Sequence, residues 1–361
     1  MCLSYGFAVQ KNQAVQTLLR NGRKPRSLVC VWLLVLLSLA SCTRHDAEGF
    51  IFTYAQEQPG NSLRGQSMTF FKSELEKRSN GRIRVELYFG GVLGTERELM
   101  DFVATGAIQG TRGGYFADAN PKFNILTMPF LVDGWDEAIR LVNSDFMQSI
   151  NEGARANGWH IPATGISQGF RAHTNNSRPL KHPDDLRGLK MRVPPQEALI
   201  RTAEAFGANA QEIPAVEIYQ ALQTGVVDGQ DNPPSNIWDY KIYEVSKYLT
   251  ITNYATGPDP FFVSLAWYES LPQDLQEVFD AVAQDAISLS DQLNREHETQ
   301  FIQKLSEKLE VNYVTADALE AFREAVGPVY ELYIERGDLT REEINDAREA
   351  ARPPVTPQGN Q

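Results

Sequence analysis

The chain has 361 residues, with 34 Lys and Arg against 46 Asp and Glu, for a formal charge of −12. That acidity argues against nucleic acid or an anionic membrane surface as a partner. Of its three cysteines, Cys2, Cys30 and Cys42, two fall in the N-terminal 41 residues, so the rest of the chain has one thiol and no internal disulfide.

Arg20, Arg23, Lys24 and Arg26 precede an apolar run from Leu28 to Leu37. The run is shorter than the about 20 residues that span a bilayer. Basic, then apolar, then small residues is the order of an export signal. It closes on Leu39-Ala40-Ser41-Cys42, which looks like a lipobox. The expectation is a lipoprotein-type signal peptide over 1–41, lipid on Cys42 and a polar tether over 42–49. The alternative is an ordinary signal with a chance cysteine. Residues 1–41 hold five basic residues and no acid, so residues 42–361 carry −17. Those 320 residues predict two lobes, because globular domains run to about 100–200 residues.

Phe50–Ala55 reads as a buried strand from its β-branched and aromatic content. Ser62 to Asn80 reads as a helix stopped by Gly81. Ile83–Phe89 alternates apolar and polar residues as a half-buried strand does. Thr95 caps a helix with Glu96 and Glu98 in its first turn. Turns are expected near Gly106, Gly110, Gly113-Gly114 and Pro129. This alternation predicts an α/β architecture. From Ser270 to about Lys308 the pattern is helical without a breaker, with Leu275, Val278, Phe279, Val282, Ala286, Leu289 and Leu293 as its apolar stripe. Such a helix is about 50 Å long, enough to cross both lobes. Thr315 to Arg336 adds a further helix or two, and residues 351–361 read as a disordered tail.

The segment from Gly188 to Asn236 carries the chemistry. Arg192 ends a short apolar run (Leu189, Met191, Val193), and Asn232 follows the turn at Gly225 and precedes two prolines. Arginine suits a planar carboxylate because its fork donates two parallel hydrogen bonds. An asparagine fixed by Pro-Pro offers a donor and an acceptor from one rigid place. Together they predict a site for a small organic acid. Enzyme motifs are missing: His45, His160, His173, His182 and His297 are scattered, with no metal-site spacing, no G-x-S-x-G and no P-loop lysine. No enzyme activity, cofactor or metal is expected.

Several motifs, in order, resemble the extracytoplasmic substrate-binding proteins of TRAP transporters, the dicarboxylate-binding (DctP-type) group. They are Asn80-Gly-Arg-Ile-Arg-Val-Glu86, Gly94-Thr-Glu-Arg-Glu-Leu-Met100, Pro129-Phe-Leu-Val132, Gly169-Phe-Arg-Ala-His-Thr-Asn175, Leu186-Arg-Gly-Leu-Lys-Met-Arg-Val-Pro194 and the block from Glu217 to Asn236. The resemblance covers about Phe50 to Asp338. It implies a two-lobed periplasmic-binding-protein-like fold with a hinge, lobe I from 50–168 and 258–297, lobe II from 169–257 and 298–350. It implies a monomer, held to a membrane by its lipid, that takes up a small organic acid by hinge closure and delivers it to the transporter's membrane subunits.

By position, Arg192 matches the family arginine that pairs with the substrate carboxylate, Arg171 a second arginine near it, and Asn232 the asparagine of the Asp-Gly-Gln-x-Asn-Pro turn. Gln56 and Asp259 sit where relatives contact the ligand's polar end. The plainer alternatives are a surface arginine at a strand end for Arg192, a loop salt bridge for Arg171 and a turn cap for Asn232. Departures from the family pattern occur at Gln109, at Gly113-Gly114 and at Ala215, where relatives carry acids or an aromatic. Arg112, beside the first departures, either enters the cleft or lies in a surface loop. An ABC-type binding protein or a sensor module is the runner-up, and a hydrolase of small carboxylates is a third reading.

Overall fold

The computed structural model describes residues 49–113, 116–166 and 168–354. The signal-peptide and lipidation expectations, Cys42 included, lie outside these residues, as does most of the expected tail.

The first half alternates as the sequence predicts. Strand β1 (Phe50–Ala55) leads to helix α1 (Leu63–Arg78), β2 (Ile83–Tyr88), α2 (Glu96–Ala104) and β3 (Gly110–Arg112). Helices α3 (Trp135–Val142) and α4 (Asp145–Gly153) follow, then the short strands β4 (Trp159–His160) and β5 (Thr164–Gly165). A second set contains β6 (Ala172–Asn175), β7 (Lys190–Val193), α5 (Glu197–Ala205), β8 (Asn209–Glu212), α6 (Ile218–Gln223), β9 (Gly229–Asn232), α7 (Pro234–Asp239) and β10 (Tyr248–Ile251). The chain then runs through β11 (Asp259–Ser264), α8 (Leu265–Ser270), α9 (Gln273–Ser306), β12 (Glu310–Tyr313), α10 (Ala316–Ala325), α11 (Gly327–Glu335) and α12 (Arg341–Ala351).

These strands form two six-stranded sheets. The first runs β2-β1-β3-β11-β4, with β5 also on β11; the second runs β12-β10-β6-β9-β7-β8. The chain crosses between them after β5, between β10 and β11, and along α9. The first two crossings lie side by side: Phe170 bridges Thr256, and the Gly257 N–H donates to Gly169 O at 2.7 Å.

Local chemistry explains the elements. Thr95 and Glu98 form a reciprocal capping box at the start of α2. Gly110 is strand rather than the expected turn. A side chain there would meet the Phe52 ring at 2.4 Å, so this glycine exists to let the aromatic core under β1 approach the backbone. In that core the rings of Tyr54 and Phe261 stack 4.6 Å apart, with Phe71 and Phe279 edge-on.

Helix α9 has 34 residues and is therefore about 50 Å long. Its stripe differs from expectation in the middle. Leu289 and Leu293 are only half-buried, while Ser290, Asp291 and Asn294 are buried. Here the helix faces the crossing strands instead of an apolar core: Asp291 Oδ1 accepts from the Ile166 N–H at 2.9 Å. A second difference concerns residues 298–350, expected wholly in the second lobe. Helix α12 packs instead on α3 and α4, and its end is held by Arg140 Nε donating to Ala351 O at 2.7 Å. The amphipathic face of α12, with Ile344, Ala347 and Ala351 buried, fits that apolar surface.

Candidate functional site

Ligands of open α/β sheets bind beyond the carboxyl ends of strands where the connections diverge. Two such points occur. Strand β1 lies between β2 and β3, all parallel, and β7 lies between β8 and β9, all parallel. The cleft where they meet is lined by Gln58, Glu96 and Pro258 from the first-sheet segments, and by Arg171, Arg192, Asn232, Asn236 and Tyr240 from the second.

Arg192 is 2 % exposed. Strand β7 aims it into the cleft, and its Nε donates to Ile213 O at 2.7 Å. Among the described residues no carboxylate lies within ion-pair distance of it. Burial lowers its pKa to about 10, against the opposing pull of Asp231. A buried cation without a counter-charge is costly unless something anionic joins it.

Arg171 also lines the cleft, but it is already paired. Its Nε binds Asp231 Oδ2, its Nη2 donates to Asp231 O at 2.7 Å, and Tyr254 donates its hydroxyl to the same carboxylate. Burial works against the Arg171 charge, yet Asp231 holds its pKa above the ordinary arginine range. Burial likewise opposes ionisation of Asp231, and Arg171 and its neighbours still hold that carboxyl below its usual value. Stacked on Tyr254 at 5.0 Å, His173 is neutral, its pKa lowered by burial to about 4.

Side-chain amides complete the wall. Asn232 donates to Gln230 Oε1 at 2.6 Å and accepts from Asn236 at 3.3 Å. Asn236 also donates to Gln168 at 3.1 Å and accepts from Gln58 Nε2 at 3.3 Å, joining the end of β1 to α7 across the cleft. The prolines after Asn232 start α7 and hold this chain of amides in register.

Arg112 and Asp259 come together with each other rather than into the cleft. Asp259 Oδ2 binds Arg112 Nη2, and Asp259 Oδ1 lies 3.0 Å from Arg64 Nη2. Arg112 also donates to Ser67 Oγ at 2.7 Å and Ser290 Oγ at 3.3 Å. Neither the surface loop nor direct ligand contact fits this placement, because the guanidinium and carboxylate bind one another inside the first lobe. Gln56, buried at the end of β1, has no hydrogen-bond partner for either end of its amide among the described residues.

Sequence reasoning missed the acidic wall. Glu96 lines the cleft, and Glu57 is buried with Oε1 accepting from the Glu96 N–H at 2.8 Å. The signal was present: Gln56-Glu57-Gln58 places three long polar side chains straight after a buried strand, and all three are buried. A surface groove under α10–α12 contains Arg323 and Arg341, but these pair with Asp133 and Glu331. Among the described residues no cluster of three or more His, Cys, Asp or Glu has metal-binding geometry.

Comparison with known proteins places the chain. The family model DctP, bacterial extracellular solute-binding protein, family 7, matches residues 54–336. The C4-dicarboxylate-binding periplasmic protein DctP of Rhodobacter capsulatus is 27% identical over 309 residues, covering 83% of this chain and 91% of that protein. Among solved structures, the sugar acid binding protein DctPAm of Advenella mimigardefordensis, in complex with galactonate, superposes with a TM-score of 0.80 at 27% identity, over 85% of this chain and 99% of that one. A TRAP periplasmic solute binding protein of Polaromonas sp. bound to D-erythronate gives 0.79 at 27% identity, over 83% and 98%.

Proposed function

The chain belongs to the DctP family of bacterial extracellular solute-binding proteins, and from that premise we propose that it captures a small organic acid on Arg192 and delivers it to the membrane subunits of a TRAP transporter. The observation that carries this reading is Arg192 itself, buried in the cleft with no carboxylate at ion-pair distance among the described residues, the pull of Asp231 being outweighed by burial. A ligand carboxylate is a planar, two-point acceptor for its free fork. Arg171, held in place by Asp231, presents its charge beside the same cleft, and Asn232 and Asn236 offer amides to the ligand's polar atoms. The idle amide of Gln56 is a further contact for the ligand or for water that accompanies it.

Binding closes the lobes about the crossings that follow β5 and β10, and closure removes water from the arginine–carboxylate contact. The related proteins support a carboxylate ligand: one is named for C4-dicarboxylates and two hold sugar acids. The protein is exported through its N-terminal segment, works as a monomer and is anchored by lipid on Cys42.

Calorimetry against a panel of organic acids tests the reading. Removing one partner of a buried pair costs about 3–5 kcal/mol, so Arg192→Ala loses about a hundred- to several-thousand-fold in Kd. Arg192→Lys recovers only part, because the two-pronged geometry is gone. Affinity within about threefold of wild type in the alanine variant would remove Arg192 from the site.

A further inference from the structure

The charges around the cleft can be counted. Arg64, Arg112, Arg171 and Arg192 are all buried at it or directly behind it. Asp231 matches Arg171, and Asp259 lies between Arg64 and Arg112. Glu96, on the cleft wall, is 4.0 Å from Arg64. Glu57 stands behind Glu96, and burial, reinforced by Glu96, pushes its carboxyl up to about 8. At neutral pH the Glu57–Glu96 pair therefore holds a proton and carries at most one negative charge. Neighbouring Arg97 is exposed. At most three ionised carboxylates thus meet four guanidiniums, and among the described residues the one with no carboxylate at ion-pair distance is Arg192.

We propose that the ligand is a monocarboxylate bearing hydroxyls on its other carbons, and that Glu96, backed by Glu57, excludes a second carboxylate. This rests on the organic-acid reading above. Beyond Arg192 and the Asp231-bound Arg171, the polar wall consists of amides, the Tyr240 phenol and the Glu96 carboxylate. A hydroxyl both donates and accepts, so it can satisfy every one of these groups. A second carboxylate only accepts. It finds no uncommitted cation, and it faces a like charge in a site from which closure removes water. Such a repulsive element is an ordinary source of specificity.

The test uses acids that differ in the second carboxylate alone. The pairs are D-galactonate with galactarate and D-erythronate with meso-tartrate, titrated by calorimetry at pH 7 into the wild type, Glu96→Gln, Glu96→Asp and Glu57→Gln. In the wild type the monocarboxylate of at least one pair binds about tenfold or more tighter than its dicarboxylate counterpart. Glu96→Gln collapses that ratio by about tenfold, chiefly through tighter dicarboxylate binding. Glu96→Asp keeps the charge and Glu57→Gln mimics a protonated acid, so both preserve the preference. Each variant's melting curve shows whether it folds, and the wild-type ratio stands as a test by itself if Glu96→Gln does not. Equal or tighter dicarboxylate binding in the wild type, or an unchanged ratio in folded Glu96→Gln, overturns the inference and leaves the organic-acid reading intact. Binding of none of the four acids overturns this inference, and the same result across the wider panel of organic acids would overturn the reading beneath it.

Discussion

Arg112 on β3 and Arg192 on β7 occupy similar places in the two sheets, and both are shut away from water, at 1 % and 2 % exposure. They differ in what they touch. Arg112 meets the Asp259 carboxylate and the hydroxyls of Ser67 and Ser290. Arg192 meets one backbone carbonyl, Ile213 O. Burial alone therefore does not mark a binding arginine. A buried guanidinium that has its carboxylate is structure, and one that lacks it is waiting for an anion from outside the chain.

The contrast is sharpest when each centre is broken. Asp259→Ala leaves Arg64 and Arg112 buried around a missing charge, and stability falls by about 3–5 kcal/mol, read from urea unfolding. Arg192→Ala does the opposite. It costs binding by the large factor given above, yet the ligand-free protein melts no lower, because an uncompensated buried charge has been removed. If Asp259→Ala unfolds at the wild-type urea concentration, or Arg192→Ala melts markedly lower without ligand, the two centres are not of different kinds.

Arg171 tests the middle case, since it is paired by Asp231 and also lines the cleft. Arg171→Lys retains a charge but cannot reproduce both the Nε contact to the carboxylate and the Nη2 contact to Asp231 O. Losing one charge-assisted hydrogen bond costs about 1.5–3 kcal/mol, so a moderate loss of stability should accompany a moderate loss of affinity. An affinity loss with unchanged urea unfolding would mean that Arg171 belongs with Arg192 rather than with Arg112.

How much of this the sequence reveals depends on the range of the interaction. Arg192 and Asn232 are legible because strand and turn chemistry within one segment points to them. Arg112 is not, since Asp259, the carboxylate that binds it, is 147 residues away. The α9 stripe is right where the helix packs on Phe52 and Phe71, and fails at Ser290, Asp291 and Asn294, where the partners are Arg112 for Ser290, the Ile166 backbone for Asp291 and the helix's own Ser290 carbonyl for Asn294. Helix α12 lies beyond the last helix expected, which ended at Arg336, and its attachment to α3 is a tertiary choice that periodicity does not encode. Gly110 reads as a turn because a glycine's usual meaning is local, while here it makes room for Phe52.

The smallest effect concerns Glu57, which belongs to neither arginine centre yet senses both. Arg64, Arg192, Glu96 and Tyr240 all act on it or are acted on by it. Burial first, then Glu96, raises its folded pKa from 4.5 to about 8. Between those values the folded state binds a proton that the unfolded state has released. Glu57 thus contributes stability fully below the unfolded value, and the contribution is lost as pH rises through the folded one. The slope for one group is at most about 1.4 kcal/mol per pH unit. Asp291, raised by burial to about 8, acts in the same direction, and His173, lowered by burial to about 4, acts in the opposite one. The wild-type curve alone therefore does not isolate Glu57, but its difference from Glu57→Gln does. Relative to wild type, Glu57→Gln should gain stability steadily from about pH 5 to about pH 8 and stay level above that, measured by urea unfolding of the ligand-free protein at each pH. A flat difference across that window would mean that Glu57 is ionised in the folded protein at neutral pH, and the cleft would then have no net positive charge to offer a carboxylate.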